Sequence, residues 1–127
     1  MIDHITFGVS NFAGSTSFYD RALAPLGVKR LFDVPLEYSG GVSITGYGDR
    51  RAWFWIAEQD ATRGKLHVAI SAESRAAVDA FYREALAAGG RDNGAPGPRP
   101  HYDPDYYGAF VLDPDGHNLE AVCRKPA

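Results

Sequence analysis

Hydrophobic and polar residues alternate in two short segments, residues 3–10 and 65–72, which are rich in β-branched and aromatic side chains. A period of two is typical of a strand with one buried face. In residues 15–26 and 74–88, apolar residues recur instead at helical spacing. In the second of these segments they are Ala77, Val78, Phe81, Tyr82, Ala85 and Leu86. The pattern predicts a strand followed by a helix in each half of the chain.

Both predicted helices have residues at their ends that are typical of helix termini. Ser74 is suited to cap the start of the second helix, and Gly89 and Gly90 are suited to end it. Gly27 closes the first helix. Pro25 predicts that the last turn of this helix is distorted or that the helix ends early.

Shorter extended segments follow each helix. We predict them at residues 28–34, 41–47 and 52–58 in the first half, and at 91–93, 106–112 and 117–124 in the second. An Asp-Pro-Asp-Gly sequence at residues 113–116 predicts a tight turn. The Pro- and Gly-rich residues 94–100 predict a loop inside the second half. Each half therefore has the order strand, helix and three strands.

The chain repeats itself at an offset of 63 residues. Without a gap, His4–Val9 aligns with His67–Ala72, Phe18–Leu23 with Phe81–Leu86, and Gly27 with Gly90. Three blocks held in one register are stronger than any single match. We interpret residues 1–127 as a single domain of two repeated modules, about 1–61 and 62–127.

Composition narrows the class of protein. A chain of 127 residues, 45% hydrophobic, suits one compact globular domain. A net charge of −3 gives no basic surplus for nucleic acid, and no apolar run approaches the roughly 20 residues that span a membrane. The single Cys123 excludes an intramolecular disulfide. The first residues do not resemble a signal peptide, so the expected compartment is the cytoplasm.

The repeat places His4 and His67 at equivalent positions of two strands. Period-two alternation puts both on the face opposite the apolar positions, beside small side chains such as Thr6 and Ala69. Glu120 interrupts an apolar strand, which is costly unless the acid is paired or bound to a cation. Two imidazoles and a carboxylate are ligands for Fe(II), Mn(II), Zn(II) or Ni(II).

Four segments give the chain a resemblance to a known family. They are Asp3-His4-Ile5, the Phe18-Tyr19-x-x-Ala22-Leu23 helix, Lys65-Leu66-His67-Val68-Ala69, and residues 110–120 with their Asp-Pro-Asp-Gly turn followed by Asn-Leu-Glu. The chain resembles the glyoxalase/bleomycin-resistance/dioxygenase family, the vicinal oxygen chelate superfamily. The resemblance implies an α+β fold of two paired βαβββ modules, with mixed sheets curling into an incomplete barrel around a cleft. It also implies a homodimer.

The resemblance further implies metal ligands at the first strands and the last strand of each module, and His4, His67 and Glu120 stand at three of these positions. Trp55 or a close neighbour falls at the fourth, where glyoxalase I-like enzymes have a carboxylate or Gln. Trp cannot ligate a metal, and Glu58 lies on the opposite strand face. The remaining set resembles that of extradiol dioxygenases, which are usually much longer chains.

Other side chains are candidates for the cleft. Tyr106, Tyr107 and His101 could move a proton, and Arg99, Tyr102, Trp53 and Trp55 could bind substrate. The alternative for residues 99–107 is a Pro-stiffened loop packed against a dimer partner or the other module. The two Trp residues could equally fill the space that a ligand carboxylate would leave. His117 is expected to be exposed.

Three functions follow from these observations. The favoured one is an enzyme, a lyase, isomerase or extradiol-type dioxygenase, that uses one divalent metal ion on a small oxygen-chelating substrate. The second is a metal-free small-molecule binding or drug-sequestering protein of the bleomycin-resistance type, with no metal at all. The third is a structural or regulatory module with a filled cleft. No nucleic acid or membrane partner is expected.

Overall fold

A computed structural model describes residues 1–64 and 66–127 of the chain. Lys65, which belongs to a predicted strand and to the family motif, lies outside the described residues. The first module contains β1 (Ile5–Val9), α1 (Phe12–Ala22), a 3₁₀ turn (Ala24–Leu26), β2 (Lys29–Asp33), β3 (Ile44–Gly48) and β4 (Ala52–Glu58). The second contains β5 (His67–Ser71), α2 (Arg75–Ala87), β6 (Arg91–Pro98), β7 (Tyr107–Leu112) and β8 (Asn118–Cys123).

The described residues form two mixed sheets of four strands. The strand orders are β1-β4-β3-β2 and β5-β8-β7-β6, so the two modules have the same topology. In each, the first strand pairs in parallel with the last, and the other pairs are antiparallel. The predicted α+β fold of two βαβββ modules is confirmed, and the two sheets do not close into a barrel.

Side-chain caps fix where the helices begin. Asn11 Oδ1 accepts the amide of Gly14 at 3.0 Å, and Ser74 Oγ accepts the amide of Ala77 at 3.1 Å. The cap at Asn11 explains why α1 starts three residues before the predicted position. The early end predicted at Pro25 is confirmed, because a 3₁₀ turn replaces the last α-helical turn.

The loop predicted for residues 94–100 is wrong over much of its length. β6 continues to Pro98, with register shifts between Asp92 and Gly94 and between Gly94 and Gly97. β6 is an edge strand, where bulges and proline are tolerated because one row of backbone groups needs no partner. Composition typical of a loop is therefore compatible with an edge strand here.

One cluster of buried side chains joins the two modules. It contains Phe7, Phe18 and Phe54 from the first module and Phe81 and Val111 from the second. Helices α1 and α2 pack against each other; α1 also contacts β4, and α2 contacts β6, β7 and β8. Two candidate ligands, His67 in β5 and Glu120 in β8, lie in the second sheet.

The Asp113 carboxylate connects the first module to the turn of the second. Tyr19, in α1, donates its hydroxyl to Asp113 Oδ2 at 2.5 Å. Asp113 Oδ1 accepts the amides of Asp115 at 3.0 Å and His117 at 2.8 Å. Because Asp113 is buried, these three bonds compensate for the water that its charge has lost.

His117 is buried, so the expectation that it is exposed is wrong. Its side chain is 4% exposed and lies edge-on to Phe7, with ring centroids 5.5 Å apart. Neither ring nitrogen has a hydrogen-bond partner among the described residues. The turn directs His117 into the seam between the modules, which a local turn signal does not reveal.

Among residues 1–64 and 66–127, no helix combines the length and the hydrophobicity that a membrane-spanning helix requires.

We predict that Tyr19→Phe lowers the free energy of unfolding by about 2 kcal/mol, because a buried carboxylate loses a hydrogen bond to a fixed donor. Urea denaturation measures this loss. Tyr82→Phe is the matched control, since Tyr82 also donates to an aspartate, Asp92 at 2.9 Å, but at the surface. An equal loss in both variants would contradict the larger contribution expected of the buried Tyr19 bond.

Candidate active site

His67 lies on the sheet face that the alternation predicts, whereas His4 directly precedes β1. In β5, Val68 and Ile70 pack against the core, whereas His67 and Ala69 are exposed on the other face. Strand pairing then aligns Ala69 with Glu120 of β8, so Glu120 shares the face of His67.

Glu120 is a buried acid with two polar partners. It is 2% exposed. His67 Nε2 lies 2.8 Å from Glu120 Oε2, and Tyr106 donates its hydroxyl to Glu120 Oε1. Both carboxylate oxygens are therefore engaged, one by an imidazole and one by a phenol.

The phenol of Tyr106 is a donor at neutral pH. Burial raises the pKa of Tyr106 to about 12, and the hydrogen bond to the Glu120 carboxylate and its negative charge act in the same direction. The neutral phenol is thus the favoured form well above pH 10. Tyr106 is correspondingly unsuited to act as a base at neutral pH.

A cavity of about 450 Å³ opens beside this pair. We call it the Glu120 cavity, and it is lined by His67, His101, Tyr102, Tyr106, Phe110, Glu120 and Arg124. Its size is in the range of small-molecule sites, and its wall combines aromatic rings with a few polar groups.

The loop before β7 forms one wall of the Glu120 cavity. The rings of His101 and Tyr102 are 4.2 Å apart, and Tyr102 meets Tyr106 edge-on at 5.1 Å. Arg124 covers the Tyr106 ring at 4.8 Å and binds Asp103 at 3.1 Å. Three of the predicted site residues, His101, Tyr102 and Tyr106, therefore meet around Glu120.

Two other predicted residues of this loop are directed elsewhere. Arg99 donates to the carbonyls of Ala95 and Gly97 at 2.8 Å each and lies over the ring of Phe110 at 5.5 Å. Tyr107 donates to Asp79 of α2 at 2.7 Å. Neither side chain is among those that line the Glu120 cavity.

His4 lies at a different opening from Glu120. His4 Nδ1 is 2.7 Å from Asp3 Oδ1, and its side chain is half-exposed. His4, Trp53 and His67 line a second cavity, of about 370 Å³, between β1 and β5. Within residues 1–64 and 66–127, no three His, Cys, Asp or Glu side chains of one chain meet in an arrangement suited to a metal ion. One chain thus brings together two of the three predicted ligands.

Trp55 occupies the position in the first module that Glu120 occupies in the second. Trp55 pairs with Thr6 just as Glu120 pairs with Ala69, and Thr6 and Ala69 are equivalent in the repeat. Its indole lies edge-on to Phe32 at 6.3 Å. Gly46 makes room for it, since a Cβ there would lie 2.7 Å from the indole.

His67 and Glu120, which we call the donor pair, have the chemistry of a metal site. An imidazole nitrogen and a carboxylate oxygen are the usual protein ligands of divalent transition metals. The burial of Glu120, with an imidazole on Oε2, fits a carboxylate that is placed to hold a cation.

Two side chains that line the cavity, Phe110 and Arg124, were not singled out from the sequence. Phe110 pairs with Glu120 across the ladder, and Arg124 follows Glu120 by four residues, so strand register could have found both.

Residues 1–121 match the profile of the Glyoxalase/Bleomycin resistance protein/Dioxygenase superfamily. The chain is 31% identical over 133 residues to a protein named metallothiol transferase FosB from Shouchella clausii strain KSM-K16, covering 94% of this chain and 77% of that protein. The chain therefore belongs to this superfamily, as its motifs suggested.

Solved structures agree with this assignment. A glyoxalase/bleomycin resistance protein from Albidiferax ferrireducens T118 is 30% identical, with a TM-score of 0.77 over 97% of this chain and 98% of that one. A FosX mutant from Listeria monocytogenes, complexed with Mn(II) and 1S,2S-dihydroxypropylphosphonic acid, is 18% identical, with a TM-score of 0.68 over 95% of this chain and 87% of that one. The second match shows a shared fold.

Proposed function

We propose that this protein is a divalent-metal-dependent enzyme that acts on a small oxygen-chelating substrate. The observation that carries the proposal is the buried carboxylate of Glu120, with His67 Nε2 at 2.8 Å and a cavity of about 450 Å³ beside them. The name of the Shouchella clausii relative, metallothiol transferase FosB, refers to a metal and supports this proposal.

His67 and Glu120 would hold the ion, with His4 as the third ligand. Fe(II), Mn(II), Zn(II) and Ni(II) all suit two imidazoles and a carboxylate. When bound, such an ion supplies a Lewis acid that stabilises negative charge developing on substrate oxygens. That chemistry is shared by lyase, isomerase and dioxygenase reactions.

We propose that His4 reaches the donor pair from a second copy of the chain. In one chain, His4 shares a cavity with His67 that Glu120 does not line, and the described residues of one chain do not bring the three ligands together. Large apolar side chains are also exposed on the first module, among them Leu31, Phe32, Leu36 and Tyr38. A homodimer would cover these side chains and would bring a first module against a second one.

The residues around the donor pair have distinct roles in this proposal. The His101 imidazole is suited to proton transfer at the cavity, whereas the Tyr106 hydroxyl is committed to Glu120 and that of Tyr107 to Asp79. Tyr102 would contact substrate directly. Arg99 would contribute indirectly, by packing its guanidinium over the ring of Phe110.

A metal-free binding protein is the second candidate, and the aromatic pair Trp55 and Phe32 favours it. With Trp55 in place of a fourth ligand, the first module offers an apolar surface where a metal enzyme could have a donor. Trp53 and Trp55 would then contact the bound molecule.

Metal content distinguishes these candidates. We predict about one ion per chain in protein purified without chelator, measured by inductively coupled plasma mass spectrometry. His67→Ala, Glu120→Gln and His4→Ala should each lose the ion. His101→Ala is the matched control and should retain it. If the unaltered protein takes up none of the four metals on reconstitution, the metal-free binding protein becomes the better assignment.

Mixing two variants that each lack the ion tests whether a second copy of the chain supplies His4. If the site is shared, a heterodimer of His4→Ala and Glu120→Gln chains carries one site with all three ligands intact, because both substitutions fall in the other site. We predict that the mixture, refolded together, regains metal in proportion to the heterodimer. Each variant refolded alone is the control. A dimer that regains no metal would mean that all three ligands come from one chain.

A further inference from the structure

The two oxygens of Glu120 have different kinds of partner. Oε2 faces His67 Nε2, on the side where the proposed ion would bind. Oε1 accepts a hydrogen bond from the hydroxyl of Tyr106, which has no role in holding a cation. The carboxylate is therefore fixed in one orientation by a neutral donor on its far side.

Tyr106 is held in place independently of Glu120. Its ring contacts the Arg124 guanidinium, 4.8 Å from the ring centroid, and the Tyr102 ring, with the two ring centroids 5.1 Å apart. Its backbone amide donates to the carbonyl of Asp103 at 3.0 Å, and its carbonyl accepts the amide of Arg99 at 2.8 Å. Because these contacts fix the phenol, its hydroxyl can orient Glu120 rather than follow it.

Gly108 leaves the space in which Tyr106 and Glu120 meet. A Cβ at this position would lie 3.1 Å from Tyr106 Cε1 and 3.3 Å from Glu120 Oε1. Any larger residue would press on both members of the hydrogen bond. The sequence Tyr-Tyr-Gly at residues 106–108 thus supplies both the donor and the room for it.

We propose, on the basis of the proposed metal site, that Tyr106 is a positioning residue that makes Glu120 a ligand through Oε2 alone. Monodentate coordination keeps positions on the ion open for substrate oxygens. It also selects against large cations such as Ca²⁺, which favour many oxygen ligands and often a bidentate carboxylate. Partners that orient a metal ligand from behind commonly affect affinity by roughly 10–100-fold.

Co(II) is the probe for this proposal, because its visible absorption weakens and shifts when its coordination number rises. In Tyr106→Phe, Glu120 is free to offer both oxygens. We expect the Co(II) dissociation constant to rise by about 10-fold or more and the visible bands to weaken. Tyr102→Phe is the matched control, since Tyr102 touches the Tyr106 ring without being bonded to Glu120. It should keep the affinity and the spectrum of the unaltered protein.

A pair of glycine variants tests the same geometry with the hydroxyl retained. Gly108→Ala presses on the bond between Tyr106 and Glu120 and should change the Co(II) spectrum in the same direction. Gly97→Ala is its control, because a Cβ there would lie 3.2 Å from Arg99 Nη1 and within 4 Å of no atom of Tyr106 or Glu120. The Gly97 variant should leave the spectrum unchanged.

The outcomes separate this inference from the proposed function. If the unaltered protein binds Co(II) through His67 and Glu120 but Tyr106→Phe matches it in affinity and spectrum, the positioning role is overturned and the metal site stands. Equal losses in Tyr106→Phe and Tyr102→Phe also overturn it, since they would reflect packing of the loop. If the unaltered protein binds no Co(II), the proposed function fails and this inference fails with it.

Discussion

The site depends on one physical constraint, the burial of a negative charge at Glu120 in the middle of an apolar strand. A carboxylate that is 2% exposed must replace the water it has lost. His67 does so on one oxygen and Tyr106 on the other. Tyr106 is held at Glu120 by the loop before β7. Gly108 leaves room beside the Tyr106 ring, and Arg124 covers that ring. Glu120 also lies beside a cavity that His67 lines, and this arrangement fits a carboxylate kept in position for a cation.

Duplication of the module explains why the site is asymmetric. Both modules present the same strand pairing, with equivalent positions at Trp55 and Glu120. One copy has become an aromatic surface and the other a buried donor. The modules are tied together on the opposite side by the core and by the bond between Tyr19 and Asp113. The face that holds the donors is therefore free to diverge without loss of the fold.

The sequence predicts the features of this fold that depend on local pattern. Strand alternation, the cap at Ser74 and the repeat are local or symmetric signals, and together they place His67 and Glu120 on one face. The extent of β6 was missed because Pro and Gly at an edge strand look like a loop. The burial of His117 and the bond from Tyr106 to Glu120 depend on how distant segments pack. Neither leaves a periodic signal, and the repeat does not reveal that His4 and Glu120 line different cavities of one chain.

The most direct test of the central claim is a crystal structure of the protein soaked with Zn(II), with diffraction recorded on both sides of the zinc absorption edge. The account predicts an anomalous peak between His67 Nε2 and Glu120 Oε2, with Tyr106 still bonded to Oε1. It also predicts His4 of a neighbouring copy as a ligand of that ion. An intact hydrogen bond between His67 and Glu120, with no anomalous peak beside it, would contradict the account.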